Sequence, residues 1–151
     1  LHTNDAAGAI SRLLDLGVEP YLVSSSLIAI VAQRLVRRIC PDCRKPSHPT
    51  AQELSELGLG SPEENKDVRF YVGEGCERCF KTGYRGRTGI YEVMLISDKI
   101  QDLIYRRETA GTIKRVALDA GMQTLRMDGA RKVLAGVTSV AEVLRVTQAD
   151  V

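Results

Sequence analysis

The fold of this chain depends on Cys40-Pro41-Asp42-Cys43 and Cys76-Glu77-Arg78-Cys79, two C-x-x-C pairs with 32 residues between them. A C-x-x-C turn directs two sulfurs toward one position, and two such turns supply the four thiolates of a structural Zn²⁺ site. Four sulfurs close the coordination shell, so no position is left for a reactive water. The sequence therefore predicts that the segment between the pairs loops out and returns to a structural zinc site.

Other uses of the four cysteines are disulfide bonds, redox chemistry and an iron–sulfur site. Disulfides belong mainly to secreted chains, and no targeting signal is visible in these residues. A thioredoxin-like redox site has one C-x-x-C pair, whereas this chain has two matched pairs. His48, five residues after Cys43, is a further candidate ligand that could replace a thiol. A solvated loop histidine is the simpler interpretation of this residue.

The composition indicates a folded chain with nearly balanced charge. The 151 residues carry 21 basic and 19 acidic side chains, for a net charge of +2, and 44% of the residues are hydrophobic. A packed core is therefore expected, while a polybasic or strongly acidic tail is excluded. No run of about 18 apolar residues is present, as a membrane span would need. The chain starts without an initiator Met, so we expect it to be part of a longer protein.

The N-terminal half of the sequence alternates between helical and irregular patterns. The spacing of apolar residues predicts a helix over 5–16, capped by Asp5, and a second helix from Pro20 to about Arg38. A short helix over 51–58 and strands around 68–72 and 89–95 are also expected. The second helix is predicted to bury one apolar face, made of Leu27, Ile28, Val31, Leu35 and Ile39.

The C-terminal part reads as four short helices, over 97–106, 109–120, 124–135 and 139–146, which we expect to form a compact bundle. The fold class is then α+β and mainly helical. Three segments follow along the sequence. They are a helical segment over 1–39, a zinc-binding tetracysteine module with short strands over 40–96, and a helical bundle over 97–151.

Few residues suggest catalysis. The turn Tyr84-Arg85-Gly86-Arg87-Thr88-Gly89 combines glycines with two arginines that can bind an anion such as phosphate, although a solvated basic turn has the same composition. No phosphate loop of the G-x-x-x-x-G-K-[ST] type and no Ser–His–Asp set is found. We therefore expect that this chain does not catalyse a reaction unaided.

A stand-alone zinc-ribbon binding module is the alternative, with nucleic acid as its candidate ligand. Its basis is a basic cluster made of Arg34, Arg37, Arg38, Arg44 and Lys45. Aromatic residues are only 5% and tryptophan is absent, so platforms for stacking bases are poor. The near balance of charge also argues against this function.

Several segments together resemble the secretion ATPases of the type II secretion system (the GspE family), whose nearest relatives are the type IV pilus assembly ATPases. The resemblance runs in order through nearly the whole chain, and residues 23–27 favour the secretion branch. The segments that carry it are 1–6, 24–27, 32–38, both C-x-x-C pairs, 83–92 and 136–143.

The resemblance implies the C-terminal part of a RecA-like ATPase domain with a zinc insert, from a cytoplasmic protein at the inner membrane. Such proteins form hexamers and couple ATP hydrolysis to pseudopilus assembly, so the implied partners are other subunits and inner-membrane platform proteins, not nucleic acid. ATP and Mg²⁺ would bind only the intact protein, because the phosphate loop and catalytic carboxylates lie upstream of the matched part. His2, Arg85 and Arg87 match positions near the nucleotide, and the four cysteines match the family's zinc motif.

Overall fold

Seven α-helices and four β-strands lie within residues 1–148, which the computed structural model describes. Most elements are short, and a 3₁₀ turn over Glu77–Cys79 precedes the last strand. None of the helices in this range is long and apolar enough to cross a membrane. In chain order the elements are α1 (Ala6–Asp15), α2 (Pro20–Ser26), β1 (Ala29–Ile39), β2 (Arg44–Ser47), α3 (Ala51–Glu56), β3 (Phe70–Gly73), β4 (Tyr84–Leu95), α4 (Asp98–Tyr105), α5 (Ala110–Asp119), α6 (Leu125–Leu134) and α7 (Val140–Val146).

Side-chain caps fix most helix starts, as the sequence predicts. The Asp5 carboxylate accepts a hydrogen bond from the Gly8 amide at 2.8 Å. Thr50 and Glu53 form a complete capping box at the start of α3. The helices α4, α5 and α7 are capped in the same way by Ser97, Thr109 and Ser139.

The predicted second helix is wrong beyond Ser26. The chain leaves α2 there and runs as strand β1 over Ala29–Ile39, so segment 1–39 is not wholly helical. Ile28 is 84% exposed and Val31 is 59% exposed, contrary to their predicted burial. Leu35 is exposed as well, while Ile39 is buried. The run is rich in β-branched residues, which favour strands where a partner strand is present.

The basic turn predicted over 84–89 is part of strand β4, which starts at Tyr84 rather than at Gly89. Gly86 has a φ of +80° inside this strand, a value that suits a local bulge. Strand β3 starts at Phe70, slightly later than predicted. Strands β1 and β4 pair with each other, and β2 pairs antiparallel with β3.

The chain forms two compact units, each built from two separate stretches of sequence. The first unit contains residues 1–33 and 91–124, in which α1 packs on α5 and α2 packs on α4. Its buried side chains include Ile10, Ile100 and Ile113.

The second unit contains residues 34–90 and the chain from 125 onward. Here α6 packs on α7 and β3, and α3 packs on α7. The four C-terminal helices are present as predicted, but α4 and α5 belong to the first unit and α6 and α7 to the second. The division into segments 1–39, 40–96 and 97–151 stays a prediction.

Candidate metal centre

Four sulfur atoms meet in the second unit. The Sγ atoms of Cys40, Cys43, Cys76 and Cys79 all lie within 4.8 Å of one another. The Sγ atoms of Cys40 and Cys76 are 3.9 Å apart, those of Cys43 and Cys79 are 3.8 Å apart, and those of Cys76 and Cys79 are 3.7 Å apart. The sequence prediction that the two C-x-x-C pairs come together is thus realised.

These separations match a tetrahedral metal site. Zinc–sulfur bonds of about 2.3 Å at tetrahedral angles place neighbouring sulfurs about 3.8 Å apart. A disulfide would need about 2.05 Å between sulfurs, and all four cysteines are free in this structure. The donor set therefore fits zinc, and it is closed to substrate because all four positions are protein sulfurs.

The strands place the cysteines by backbone pairing. Cys40 directly follows β1, and its amide donates to the Gly83 carbonyl at 2.9 Å. Cys43 directly precedes β2, and its carbonyl accepts from the Glu74 amide at 3.0 Å. The β2–β3 pair thus returns the chain to its starting point, which explains how the long gap between the pairs is closed.

Backbone amides surround the sulfurs. Cys79 Sγ accepts hydrogen bonds from the amides of Cys76 and Gly83, both at 3.2 Å. Cys43 Sγ accepts one from the Gly75 amide at 3.3 Å. Donors aimed at sulfur stabilise the thiolate form, which is the form that binds metal.

The pKa values of Cys79 and Cys43 are shifted in opposite directions. Burial raises the pKa of Cys79, but the amides of Cys76 and Gly83 and the neighbouring thiols outweigh it and lower the pKa to about 6. Burial and hydrogen bonds with the other thiols raise the pKa of Cys43 to about 12, although the Gly75 amide opposes this. One thiolate therefore suppresses ionisation of its neighbour, and a bound divalent cation would reduce this repulsion by offsetting part of the negative charge.

Two glycines permit the close approach of the chain beside the sulfurs. A Cβ on Gly73 would overlap the backbone of Gly83. Gly83 itself has a φ of +81°, a conformation that favours glycine. The sequence reasoning did not identify Gly73 and Gly83 as part of the site, although both flank the second cysteine pair.

Asp42 joins two arginines at the rim of the centre. Its carboxylate lies 3.4 Å from Arg78 and 3.4 Å from Arg85. Both arginine side chains are largely solvated, so the pairs contribute little stability.

The remaining candidate residues lie elsewhere. His48 is exposed and does not belong to the cluster of ligand atoms found among the described residues. His2 is exposed in the first unit. Arg85 and Arg87 are exposed on β4 in the second unit. Their predicted nearness to a nucleotide stays a prediction.

Comparison with known proteins identifies the class. The family described as "Type II/IV secretion system protein" matches residues 1–145, and the chain belongs to this family. The chain is 48% identical over 150 residues to type II secretion system protein E of Aeromonas hydrophila, covering 99% of this chain and 29% of that protein. It is also 48% identical over 144 residues to the type IV pilus assembly ATPase PilB of Thermus thermophilus, covering 95% of this chain and 16% of that protein.

A third relative is the type II secretion system ATPase E of Vibrio cholerae, 42% identical over 148 residues, with 98% of this chain and 29% of that protein covered. The chain thus spans less than a third of the length of these relatives. The resemblance to secretion ATPases inferred from sequence motifs is confirmed.

Proposed function

We propose that these residues form the zinc-binding, C-terminal part of a secretion ATPase that couples ATP hydrolysis to pseudopilus assembly and protein export by a type II secretion system. The observation that carries the proposal is the family match over residues 1–145 together with four sulfurs within 4.8 Å. Zinc, held by Cys40, Cys43, Cys76 and Cys79, has a structural role here because the ligand set leaves no open position.

Three further features of the family enter the proposal. The fold derives from the C-terminal part of a RecA-like domain, the working protein is a hexamer, and it acts on the cytoplasmic side of the inner membrane with platform proteins as partners. ATP and Mg²⁺ bind the intact protein, with His2, Arg85 and Arg87 near the nucleotide. The exposed positions of these three side chains leave them accessible to a ligand or a neighbouring subunit.

Metal analysis tests the zinc part of the proposal. Purified chain is expected to contain one zinc per molecule and to give the intense tetrahedral thiolate spectrum when Co²⁺ replaces Zn²⁺. Iron in place of zinc would support the iron–sulfur alternative. Four modifiable thiols and no metal in protein purified under reducing conditions would contradict the proposal.

The 151 residues alone are expected to hydrolyse no ATP. They contain no phosphate loop, and phosphoryl transfer needs one to position the nucleotide phosphates. Phosphate release measured on rigorously purified protein is the assay. Turnover that copurifies with the chain and is lost in a His2→Ala variant would show that the expectation is wrong.

A chimera tests the transport function. Residues 1–151 replace the matching segment of Aeromonas hydrophila type II secretion system protein E in a strain that lacks this gene. Restored export of secreted enzymes supports the proposal, and the same chimera with Cys76→Ser should fail. A stable chimera that hydrolyses ATP but restores no export would contradict it.

The type IV pilus branch is the second candidate, because the Thermus thermophilus pilus ATPase is as similar to this chain as the Aeromonas protein. The equivalent chimera in that pilus ATPase distinguishes the two. Restored pili without restored export would favour the pilus branch.

A further inference from the structure

A cavity of about 380 Å³ lies in the second unit beside the end of β1. Arg38, Arg44 and Arg85 line it from β1, β2 and β4, and residues 135–137 close it after α6. We propose that this cavity binds a phosphate-bearing anion, either a free polyphosphate or the headgroup of an anionic phospholipid. The proposal is independent of the transport function above.

The arginines are available to a ligand. Within residues 1–148, neither Arg38 nor Arg44 forms an ion pair with a carboxylate. Arg85 lies 3.4 Å from Asp42, which it shares with Arg78, and its side chain is 58% exposed. An exposed pair of this kind is worth under about 1 kcal/mol, so an incoming anion can compete with Asp42.

The guanidinium of Arg44 is held in place before any ligand binds. It lies 3.6 Å from the centre of the Tyr71 ring, which fixes its plane. It also packs against Gly136, where an added Cβ would approach Arg44 Nη2 at 2.6 Å. Gly136 follows α6 with a φ of +74°. Glycine at this position permits both the backbone conformation that ends the helix and the close approach of Arg44. A fixed guanidinium loses less entropy on binding than a free one.

The type of anion follows from the local charge and the size of the cavity. With zinc bound, the four thiolates outnumber the two positive charges of the metal, so the centre is net negative and does not attract an anion to the region near Cys43. Binding must therefore come from paired N–H donors of the arginines, which fit phosphate and carboxylate oxygens bidentately. The volume of about 380 Å³ is in the range of small-molecule sites, and a single phosphate would leave much of it to water. A chain of phosphates, or a phosphate with its glycerol, uses more of the arginine donors at once.

The cavity coincides only in part with the residues that the family resemblance places near the nucleotide, because Arg85 lines it. Arg87 does not line it. A dependence on Arg38 and Arg44 therefore distinguishes this site from a nucleotide contact made through Arg87.

Isothermal titration calorimetry on the zinc-loaded 151-residue chain at low salt tests the proposal. The probes are inorganic tripolyphosphate, vesicles of phosphatidylglycerol, and vesicles of phosphatidylcholine as the uncharged control. Arg44→Gln is expected to weaken binding about tenfold or more, and Arg38→Gln several-fold, because each removes charge-assisted hydrogen bonds. Arg12→Gln, an exposed arginine on α1, removes the same charge elsewhere and is expected to change affinity less than twofold.

The results of the titrations distinguish the two sources of the anion and show which findings overturn the proposal. Arginine-dependent binding of tripolyphosphate identifies a free polyphosphate, whereas arginine-dependent binding of phosphatidylglycerol vesicles alone identifies a lipid headgroup. Absence of binding to both probes overturns the proposal. An equal loss in Arg12→Gln, or a loss in Arg87→Gln as large as in Arg44→Gln, overturns it too. Arg38 has no stacking contact with any ring in residues 1–148. Arg38→Gln therefore keeps the test valid if loss of Arg44 disturbs Tyr71, a disturbance that melting curves and zinc content would reveal.

Discussion

Replacing Glu142 by glutamine tests the main polar link in the second unit. The Glu142 side chain is 1% exposed, and its carboxylate accepts hydrogen bonds from the Arg37 amide, Nε and Nη2, all at 3.0 Å. Arg145 donates two more, at 3.1 and 2.6 Å. Arg37 belongs to β1 and Glu142 to α7, so one carboxylate joins elements 105 residues apart. Both arginines keep solvent contact, so the variant does not strand a buried cation.

The pKa of Glu142 gives the size of the effect. Burial raises this pKa, but the hydrogen bonds of Arg145 and Arg37 outweigh it and lower the pKa from 4.5 to about 2. Each pKa unit is about 1.4 kcal/mol, so the ionised carboxylate stabilises the fold by about 3 kcal/mol. Because glutamine retains one acceptor oxygen, we expect Glu142→Gln to lower the free energy of unfolding by about 2–3 kcal/mol at pH 7.

The pH dependence follows from the direction of the shift. A carboxylate whose pKa is lower in the folded state stabilises the protein above its unfolded pKa of about 4.5. This stabilisation is lost as the pH falls from about 5 toward the folded pKa of about 2. The difference between wild type and Glu142→Gln should therefore be full at pH 6–7 and shrink toward pH 2. Acid also protonates the thiolates and so releases zinc, which destabilises both proteins. The comparison is therefore made over the pH range in which both proteins retain zinc.

Urea unfolding followed by circular dichroism at several pH values measures the effect. The matched control is Glu74→Gln, since Glu74 pairs with Lys45 at 3.7 Å and both side chains are largely exposed. This control should change stability by less than about 0.5 kcal/mol. A loss in Glu142→Gln that does not shrink as the pH falls within the zinc-bound range, or a loss no larger than that of the control, would refute the reasoning.

Three other changes probe the metal centre and a helix start. Cys76→Ser, or a strong chelator, should remove the zinc and unfold the second unit, since structural zinc is worth roughly 10–16 kcal/mol in small finger peptides; an unchanged melting curve would contradict this. Gly83→Ala should lower the free energy of unfolding by about 3 kcal/mol or more and weaken zinc retention, because Gly83 has a positive φ and its amide donates a hydrogen bond to Cys79 Sγ. Gly58→Ala is the control, since Gly58 also has a positive φ but lies in open space, and it should lower the free energy of unfolding by about 1 kcal/mol. Thr50→Ala should lower stability by about 0.5–2 kcal/mol by removing the capping box of α3, measured by urea unfolding, and no change would show that this helix end is held otherwise.

Local signals in the sequence were sufficient to predict where most helices begin and end. A cap donates or accepts within three residues, so Asp5 and Thr50 carry their own evidence. Positive-φ glycines mark helix ends in the same way, as at Gly17, Gly121 and Gly136. Such features depend on residues that are neighbours along the chain, and the structure shows them at the predicted positions.

Strand β1 was not predictable from its own residues. The positions of Val31, Leu35 and Ile39 suit a helical stripe, but the strand alternates, burying Ala32 and Val36 while exposing Val31 and Leu35. What decides between the two patterns is the pairing with β4, more than 40 residues further on. When the apolar residues fit both the helical and the strand spacing, pairing with a distant strand decides which structure forms, and the local sequence does not reveal that pairing.

The cluster of four sulfurs was predictable because thiol chemistry restricts its options. Four cysteines in two turns have few common uses, so composition and spacing led directly to the cluster of sulfurs. The supporting groups were harder to foresee. The amides of Gly75 and Gly83 act through backbone N–H groups that every residue type possesses, so the letters of the sequence do not mark them.

A metal bound by the four sulfurs would order much of the second unit, because of where the sulfurs lie. Cys40 follows β1 with no intervening residue, and Cys79 precedes β4 by a few residues, so the cluster lies at the shared end of the paired strands. Cys43 and Cys76 flank the β2–β3 pair in the same way. A cation that binds all four sulfurs therefore closes both strand pairs at once. Its loss should release the registers of both pairs together, in one cooperative step of unfolding rather than two.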